Sequence, residues 1–263
     1  MILQQGNTGP DVLNLQNILL HRGYRSVHPD NDFGPITTAA VKDFQTKCGL
    51  TADGIVTDNL ISILKGAGPA PIMGIDVSYW NGNLNWGPVV AAGGKFAYVQ
   101  VSQGTGYIDS TAPAQAAGAL AAGLEIGYYH FAKLSDVNKE AQLFLSTIKK
   151  LPHAKLLPAL DLEVNPSNMP PQQVVQWVQA FQKIVGPVIL YSYTPFLNAN
   201  LPVNHPLGGM PLWLAQYTTA VDYPQMPWGW AFYSVWQYSD NLNLGSGPCD
   251  VNRCHSLPFA PTV

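Results

Sequence analysis

The residues with the clearest chemical potential are Asp161 and Glu163, in Leu160-Asp161-Leu162-Glu163 at the end of an apolar run. Charged residues make up only 11% of this chain, against roughly 25% in a typical soluble protein, so each carboxylate carries more information than usual. Residues i and i+2 of a strand point to the same side, about 6.6 Å apart along the chain. Two carboxyl groups on one side of a cleft can divide the work of general acid catalysis. Crowding and partial desolvation raise the pKa of one, which keeps a proton to donate near neutral pH. Cleavage of a bond between two sugars needs such a pair, one group protonated and one ionised. Backbone spacing does not set the oxygen–oxygen distance, so the stereochemical outcome stays open. An isolated Asp-x-Glu is usually a loop entry that caps a helix or pairs with a lysine. Here other apolar runs end in similar groups: Asp76 in Gly74-Ile75-Asp76-Val77-Ser78, Asp250 in Cys249-Asp250-Val251-Asn252, Gln216 after Ala215 and Gln237 after Trp236. Four carboxylates and two amides at matching positions favour a shared site over a set of unrelated caps.

The elements that must position these groups follow from the hydrophobic pattern. Short apolar runs fall at 72–78, 96–102, 124–131, 156–162, 188–193, 212–216, 234–238 and 249–251, with helical periodicity near 112–122, 137–150 and 171–185. Repeated alternation of strand and helix predicts a parallel sheet, and eight strands predict a barrel. Residues 72–263 fall short of the roughly 250 usual for a full (β/α)8 barrel, and the later gaps lack helical patterns. The expectation is therefore an α/β chain whose larger part, 72–263, is an abbreviated, irregular (β/α) barrel with its chemistry at the C-terminal strand ends. All seven Trp and eleven of the twelve Tyr lie in that part.

The preceding stretch has a different texture. Val12, Leu15 and Leu19 share one helical face, Ile36, Ala40 and Phe44 a second, and Leu60, Ile61 and Leu64 close a third short helix. Pro10 and Pro35 sit where first-turn prolines are tolerated, and Gly23, Gly49 and Gly54 punctuate the ends. Residues 1–65 thus predict a small three-helix, all-α domain, and the Gly/Ala/Pro-rich 66–71 a linker.

Composition narrows the function classes. The net charge is −3 with a pI near 6.0, and no basic run suggests nucleic acid or an anionic membrane. No leader pattern opens the chain and no apolar run reaches the roughly 20 residues of a membrane span. The reading is a protein made in the cytoplasm, not inserted in a membrane, and monomeric. The spacing of Cys249 and Cys254 admits a disulfide and free thiols alike; with His255 it matches no standard zinc site, and neither metal nor cofactor is expected. Asp32-Phe33-Gly34 lacks the glycine-rich loop and catalytic-loop aspartate of a kinase, no G-x-S-x-G elbow is present, and no H-E-x-x-H marks a zinc peptidase. His130, at a strand end, reads as a hydrogen-bonded structural histidine.

The larger part resembles the glycoside hydrolase family 25 lysozymes, the Chalaropsis-type N-acetylmuramidases. The matching segments, in the family's order, are Gly74-Ile75-Asp76-Val77-Ser78 with Trp80 and Trp86, Gly127-Tyr128-Tyr129-His130-Phe131, Leu160-Asp161-Leu162-Glu163, Leu190-Tyr191-Ser192-Tyr193, Leu212-Trp213-Leu214-Ala215-Gln216-Tyr217, Trp236-Gln237-Tyr238 and Asp250-Val251-Asn252. The resemblance implies cleavage of the β-1,4 bond between N-acetylmuramic acid and N-acetylglucosamine. It implies Glu163 as general acid, and Asp161 as a stabiliser of the developing positive centre or an orienter of the substrate's N-acetyl group as an internal nucleophile; the resemblance does not choose among nucleophile, base and electrostatic partner for Asp161. Asp76 and Asp250 would tune this pair, while Tyr79, Tyr129, Tyr191, Trp213, Gln216 and Gln237 would contact the sugars. The chain departs from the family on its second strand, where a usual lysine and glutamate are Gln100 and Gln103; losing both charges together avoids stranding one.

The first 65 residues resemble the PGB1-type peptidoglycan-binding fold through Gly6, Gly9, Asp11-Val12, Leu15-Gln16, Leu19, Gly23, Phe33-Gly34, Thr38-Ala39-Ala40-Val41, Phe44-Gln45, Gly49-Leu50 and Asp53-Gly54-Ile55-Val56. Together the resemblances imply bacterial peptidoglycan as the partner of both domains, in a modular endolysin or autolysin. Two rival readings are a silent wall-binding protein on an enzyme fold and a hydrolase of chitin-like glycans. The four intact carboxylates argue against the first and the wall-binding domain against the second.

Overall fold

A computed structural model describes residues 2–22, 24, 26–48, 50–65, 71–217, 224–243, 247–254 and 256–260. Gly23, Gly49, His255 and all of the expected linker except Pro71 lie outside the described residues.

The N-terminal part carries α1 (Pro10–His21), α2 (Pro35–Lys47) and α3 (Asp58–Leu64). Proline opens the first two, and the Thr57 hydroxyl accepts from the Leu60 N–H to cap the third. Val12, Leu15, Leu19, Ala40, Phe44, Leu60 and Leu64 pack in one core, as their spacing predicts. Ile36 does not join it and is 52% exposed, whereas Val41 and Phe33 are fully buried in it. A two-strand ladder of β1 (Ile2–Leu3) and β2 (Val56–Thr57), too short to show periodicity, ties the ends together. Two buried glutamines brace the loops. Gln16 reaches Asp30, Thr37 and the Asp32 carbonyl, and Gln45 reaches Asp53 and the Ile55 carbonyl. These amides are spent on the fold.

In the larger part, eight strands close a barrel: β3 (Ile72–Val77), β4 (Gly94–Gln103), β6 (Glu125–Phe131), β7 (Ala159–Asp161), β8 (Ile189–Tyr193), β9 (Leu212–Ala215), β10 (Val235–Asn243) and β11 (Pro248–Cys254), with β5 (Tyr107–Ile108) as a short hairpin partner of β4. The connections between β3 and β8 carry α4 (Trp86–Ala91), α5 (Ala112–Ala121), α6 (Val137–Ile148) and α7 (Pro171–Val185) in turn, and short α8 (Thr194–Asn200) follows β8. Neighbours from β3 through β10 run parallel, but β11 is antiparallel to both β10 and β3. This corrects the expectation of an all-parallel sheet. A tight hairpin needs few residues, whereas a parallel crossover needs a dozen or more, which is how so short a chain still closes.

Alternation along the strands sorts the core into two layers. Ile75, Val99, Ile126, Leu160, Leu190 and Leu214 face the helices. Phe96, Tyr98, Tyr129, Tyr191 and Trp213 fill the barrel interior. Glycine is required at two interior sites: a Cβ at Gly74 would stand 2.5 Å from the Phe96 ring, and one at Gly127 would stand 2.3 Å from the Tyr98 ring. The Trp213 ring centroid lies 4.6 Å from that of Tyr98 and 4.9 Å from that of Tyr191. This aromatic plug supports the groups at the rim. The α1–α3 part meets the barrel at its other end, where Ala231, in the loop entering β10, is buried within the helical core.

Candidate active site

All four predicted carboxylates line one cavity of about 390 Å³ at the rim, with Ser78, Tyr79, Trp80, Gln100, Gln103, Tyr129, Phe131, Tyr191 and Trp213. A second hollow of about 370 Å³, formed by Tyr193, Pro195, Ala215, Gln216 and Tyr217, adjoins it and shares Glu163 and Tyr191. The cleft thus has two lobes that meet at Glu163. A larger hollow, about 770 Å³, lies elsewhere, between Arg22, Tyr24 and Asp43 of the helical part and His205, Trp228 and Trp230 of the barrel. It has no carboxylate pair, and its one carboxylate accepts from the Tyr24 hydroxyl at 2.8 Å. Size alone does not mark the chemistry.

Period-two geometry places these groups. Asp76 and Asp161 end their strands on the interior face, level with Tyr98 and Tyr191 in the ladders. Glu163 lies just beyond the end of β7, on the same side as Asp161. Asp250 reaches the rim for the opposite reason to that expected. Because β11 is antiparallel, it is the beginning of this strand that stands at the rim, with Asp250 paired directly to Asp76.

Asp76 is held from below: its Oδ2 accepts from Gln237 Nε2 at 2.9 Å and from Asn252 Nδ2 at 2.7 Å. Gln237 Oε1 accepts from the Tyr191 and Tyr217 hydroxyls, and Asn252 Oδ1 from Trp213 Nε1. Gln237, predicted as a sugar contact, is thus a buried link that orients Asp76. Gln216 stands in the second lobe, with its side-chain oxygen on the Gln225 N–H. The sequence singled out neither Asn252 as the second prop of Asp76 nor Tyr217. Alternation with Asp250 on the same strand was the available signal for Asn252.

The electrostatics follow from burial. Desolvation, then the Asp250 charge, pushes the Asp76 carboxyl well above the usual range. Asp250 is pushed up to about 6, first by burial and then by the charge of Asp240; its hydrogen bond with Asp76 opposes this. Asp161 is also pushed well above the usual range, by burial first and then by the charges of Glu163 and Asp76. Its Oδ1 is buried and has no hydrogen-bond partner. Burial raises Glu163, which is the more accessible of the two. Lys133 is the cation that draws both Asp161 and Glu163 downward. Its ammonium sits 4.4 Å from the centre of the Phe131 ring, which lines the cavity. Gln100 and Gln103 also line it, so this positive charge enters from the end of β6, beside β4.

His130 lies outside the cleft. It is fully buried, with Nδ1 2.8 Å from Ser102 Oγ and Nε2 3.0 Å from Glu140 Oε2. Glu140 also accepts from the Lys133 and Ser135 N–H groups, and so fixes the turn through Leu134, whose φ is +51°. Cys249 and Cys254 lie five residues apart on one extended strand, about 16 Å by strand rise, and cannot bridge each other. Among the described residues no cluster of His, Cys, Asp and Glu could hold a metal ion, and no helix is long and apolar enough to cross a membrane.

Residues 75–246 match the family of glycosyl hydrolases 25, and residues 8–64 match a family of peptidoglycan binding domains. The chain is 31% identical to Lysozyme M1 of Streptomyces globisporus, over 71% of this chain and 69% of that one. It is 30% identical to the lysozyme of Streptococcus phage Cp-9, over 64% of this chain but 50% of the phage protein. The crystal structure of the bacterial lysozyme from Streptomyces coelicolor superposes with a TM-score of 0.64 at 28% identity, covering 72% of this chain and 94% of that one.

Proposed function

This chain belongs to family 25 of the glycosyl hydrolases, and from that premise we propose that it is a muramidase in which Glu163 is the general acid and Asp161 its ionised partner. The enzyme hydrolyses peptidoglycan, at the β-1,4 bond between N-acetylmuramic acid and N-acetylglucosamine. One observation carries the division of roles: Asp161 Oδ1 is buried without a donor, beside a more accessible Glu163.

Four carboxyls in one cleft titrate as coupled pairs. At rest, deeper burial leaves the proton of the Asp161–Glu163 pair on Asp161. A bound sugar with an acetamido N–H supplies the donor that Oδ1 lacks. That hydrogen bond stabilises the Asp161 carboxylate, and the proton passes to Glu163, where the two lobes of the cleft meet. Glu163 then protonates the glycosidic oxygen as it leaves, while the Asp161 charge faces the positive centre that develops at the sugar carbon; a water adds to that carbon and its proton returns to Glu163. Asp76 and Asp250 hold a second shared proton, which limits the charge in the cleft and orders water beside the bond. Tyr129, Tyr191 and Trp213 form the floor of the cleft beneath the sugars, Tyr79 stands at the mouth, and Gln216 serves the sugar in the second lobe.

The N-terminal domain holds the enzyme on the wall, and tethering raises the substrate concentration at the cleft. The protein works as a monomer. Likeness to a phage lysozyme supports the role of an endolysin made in the host cytoplasm, which meets the wall once released. Digestion of purified peptidoglycan, assayed in parallel for new reducing ends and new amines, tests the reading. Reducing ends at N-acetylmuramic acid are expected; amines without reducing ends would overturn it.

A further inference from the structure

Three exposed aromatic rings stand together where β3 and β4 leave the barrel. Trp80 is 81% exposed, Tyr79 40% and Tyr107 38%. The Tyr79 centroid lies 4.3 Å from that of Trp80 and 6.1 Å from that of Tyr107. Contiguous aromatic surface left in water marks a binding site more often than an accident. The turn that carries Tyr79 and Trp80 is also held with unusual care. Ser78 and Asn81 form a capping box around it. Gln115 donates from Nε2 to the Ser78 carbonyl at 2.8 Å and the Gly82 carbonyl at 3.2 Å. Asp109, 1% exposed, accepts from the Tyr79 N–H at 2.8 Å, and its other oxygen takes the Thr111 N–H and hydroxyl. Two buried polar side chains from other parts of the chain are thus committed to one surface turn. A stacking platform needs such rigidity, because a ring that must be ordered on binding returns part of its contact energy as entropy.

Position supplies the occupant. Tyr79 and Trp80 are walls of the cavity that holds the four carboxylates. Around the closed barrel, β3 and β8 stand half a circuit apart. The aromatic ledge and the lobe of Tyr193, Pro195 and Tyr217 therefore mark opposite ends of one groove, with Asp161 and Glu163 between them. A run of hollows with the cutting acids between its two flanks suits a linear polymer.

We propose that Trp80, supported by Tyr79 and Tyr107, forms an additional sugar subsite. It stacks on the apolar face of an N-acetylhexosamine of the same glycan strand, outside the two sugars that flank the cut bond. This rests on the muramidase reading. The ledge makes the enzyme favour long strands and cut away from their ends.

The test uses the full chain and peptidoglycan glycan fragments of one, two and three N-acetylmuramyl-N-acetylglucosamine repeats, the shortest holding only the two sugars that flank the cut bond. For the unaltered chain, kcat/KM rises with length. Trp80→Ala loses about tenfold on the longest fragment, the scale of one lost stacking contact, and stays within twofold on the shortest; Trp80→Tyr recovers most of the loss. Equal rates for Trp80→Ala and the unaltered chain at every length would overturn the subsite, as would an equal loss at every length. Calorimetric binding of the same fragments to Glu163→Gln, with and without Trp80→Ala, separates the two ideas. Length-dependent binding that Trp80→Ala abolishes, in a chain whose parent cuts none of the fragments, sinks the muramidase reading and keeps the subsite. Binding indifferent to Trp80, in a chain whose parent cuts them, does the reverse.

Discussion

Glu140 and Asp161 are both buried acids of the same barrel, 0% and 6% exposed, and they are dressed in opposite ways. Glu140 receives hydrogen bonds from His130, from the Lys133 and Ser135 N–H groups and from the Ser135 hydroxyl. Burial opposes its ionisation, but these donors outweigh it and hold its pKa below the usual range. Asp161 is left with an unpartnered Oδ1, and burial drives its pKa upward. A buried carboxylate with its lone pairs filled is a structural tie; one kept hungry is poised for a ligand. Burial and charge alone would not tell them apart.

The contrast breaks most visibly if the working pair can be neutralised without consequence. Glu163→Gln is expected to lower kcat by about a thousandfold, the scale of general acid catalysis, while pull-down on purified walls stays unchanged. Retained lytic rate in a turbidity assay would refute Glu163 as the acid.

The next largest effect belongs to the filled carboxylate. Glu140→Gln turns an amide N–H₂ toward groups that are themselves donors, and is expected to cost about 2–3 kcal/mol, read as a fall of several degrees in Tm. Asp161→Asn is expected to go the other way at pH 7, with Tm unchanged or raised, although glycan cleavage is lost. Similar destabilisation in both variants would erase the distinction.

The pH dependence of these two effects differs in sign. The folded pKa of Glu140 is depressed, so its contribution is present above the ordinary value of 4.5 and is lost as pH falls through the folded value. Stability curves of Glu140→Gln and the unaltered chain therefore converge in acid. The folded pKa of Asp161 is raised, so its penalty is absent below the ordinary value of 3.8 and grows as pH rises through the folded value. The advantage of Asp161→Asn should widen from acid toward neutral pH.

The smallest effect sharpens the electrostatic account. Lys133 lowers the pKa of both Asp161 and Glu163, so Lys133→Met should move both limbs of the kcat/KM profile upward, and Lys133→Arg should leave them in place. An unmoved profile in Lys133→Met would show that the cation does not reach the pair.

Much of the site was legible because its signals are local. An apolar run ending in Asp-x-Glu, in a chain poor in charge, marks a strand that delivers two acids to one rim, and Asp76 follows the same logic. Asp250 was found at the right place for a reason the structure reverses, since strand direction is not written in a seven-residue pattern. Gln237 and Asn252 were harder. Whether an amide faces the ligand or props a neighbouring acid depends on a partner more than 100 residues away. Ile36 fits a helical face by spacing and still faces water, because the packing of α1 and α3 decides which face of α2 is covered.

By itself the sequence determined the eight strands of the barrel and its longer helices, the three helices of the N-terminal part, and which acids end their strands. Those properties arise from periodicity and from the contrast between apolar runs and rare charges, which are set within a few residues. Tertiary structure alone decided the antiparallel closure by β11, the aromatic plug beneath the acids, and the difference between a satisfied Glu140 and an unsatisfied Asp161. Each of these depends on which distant groups share the small space inside a closed barrel.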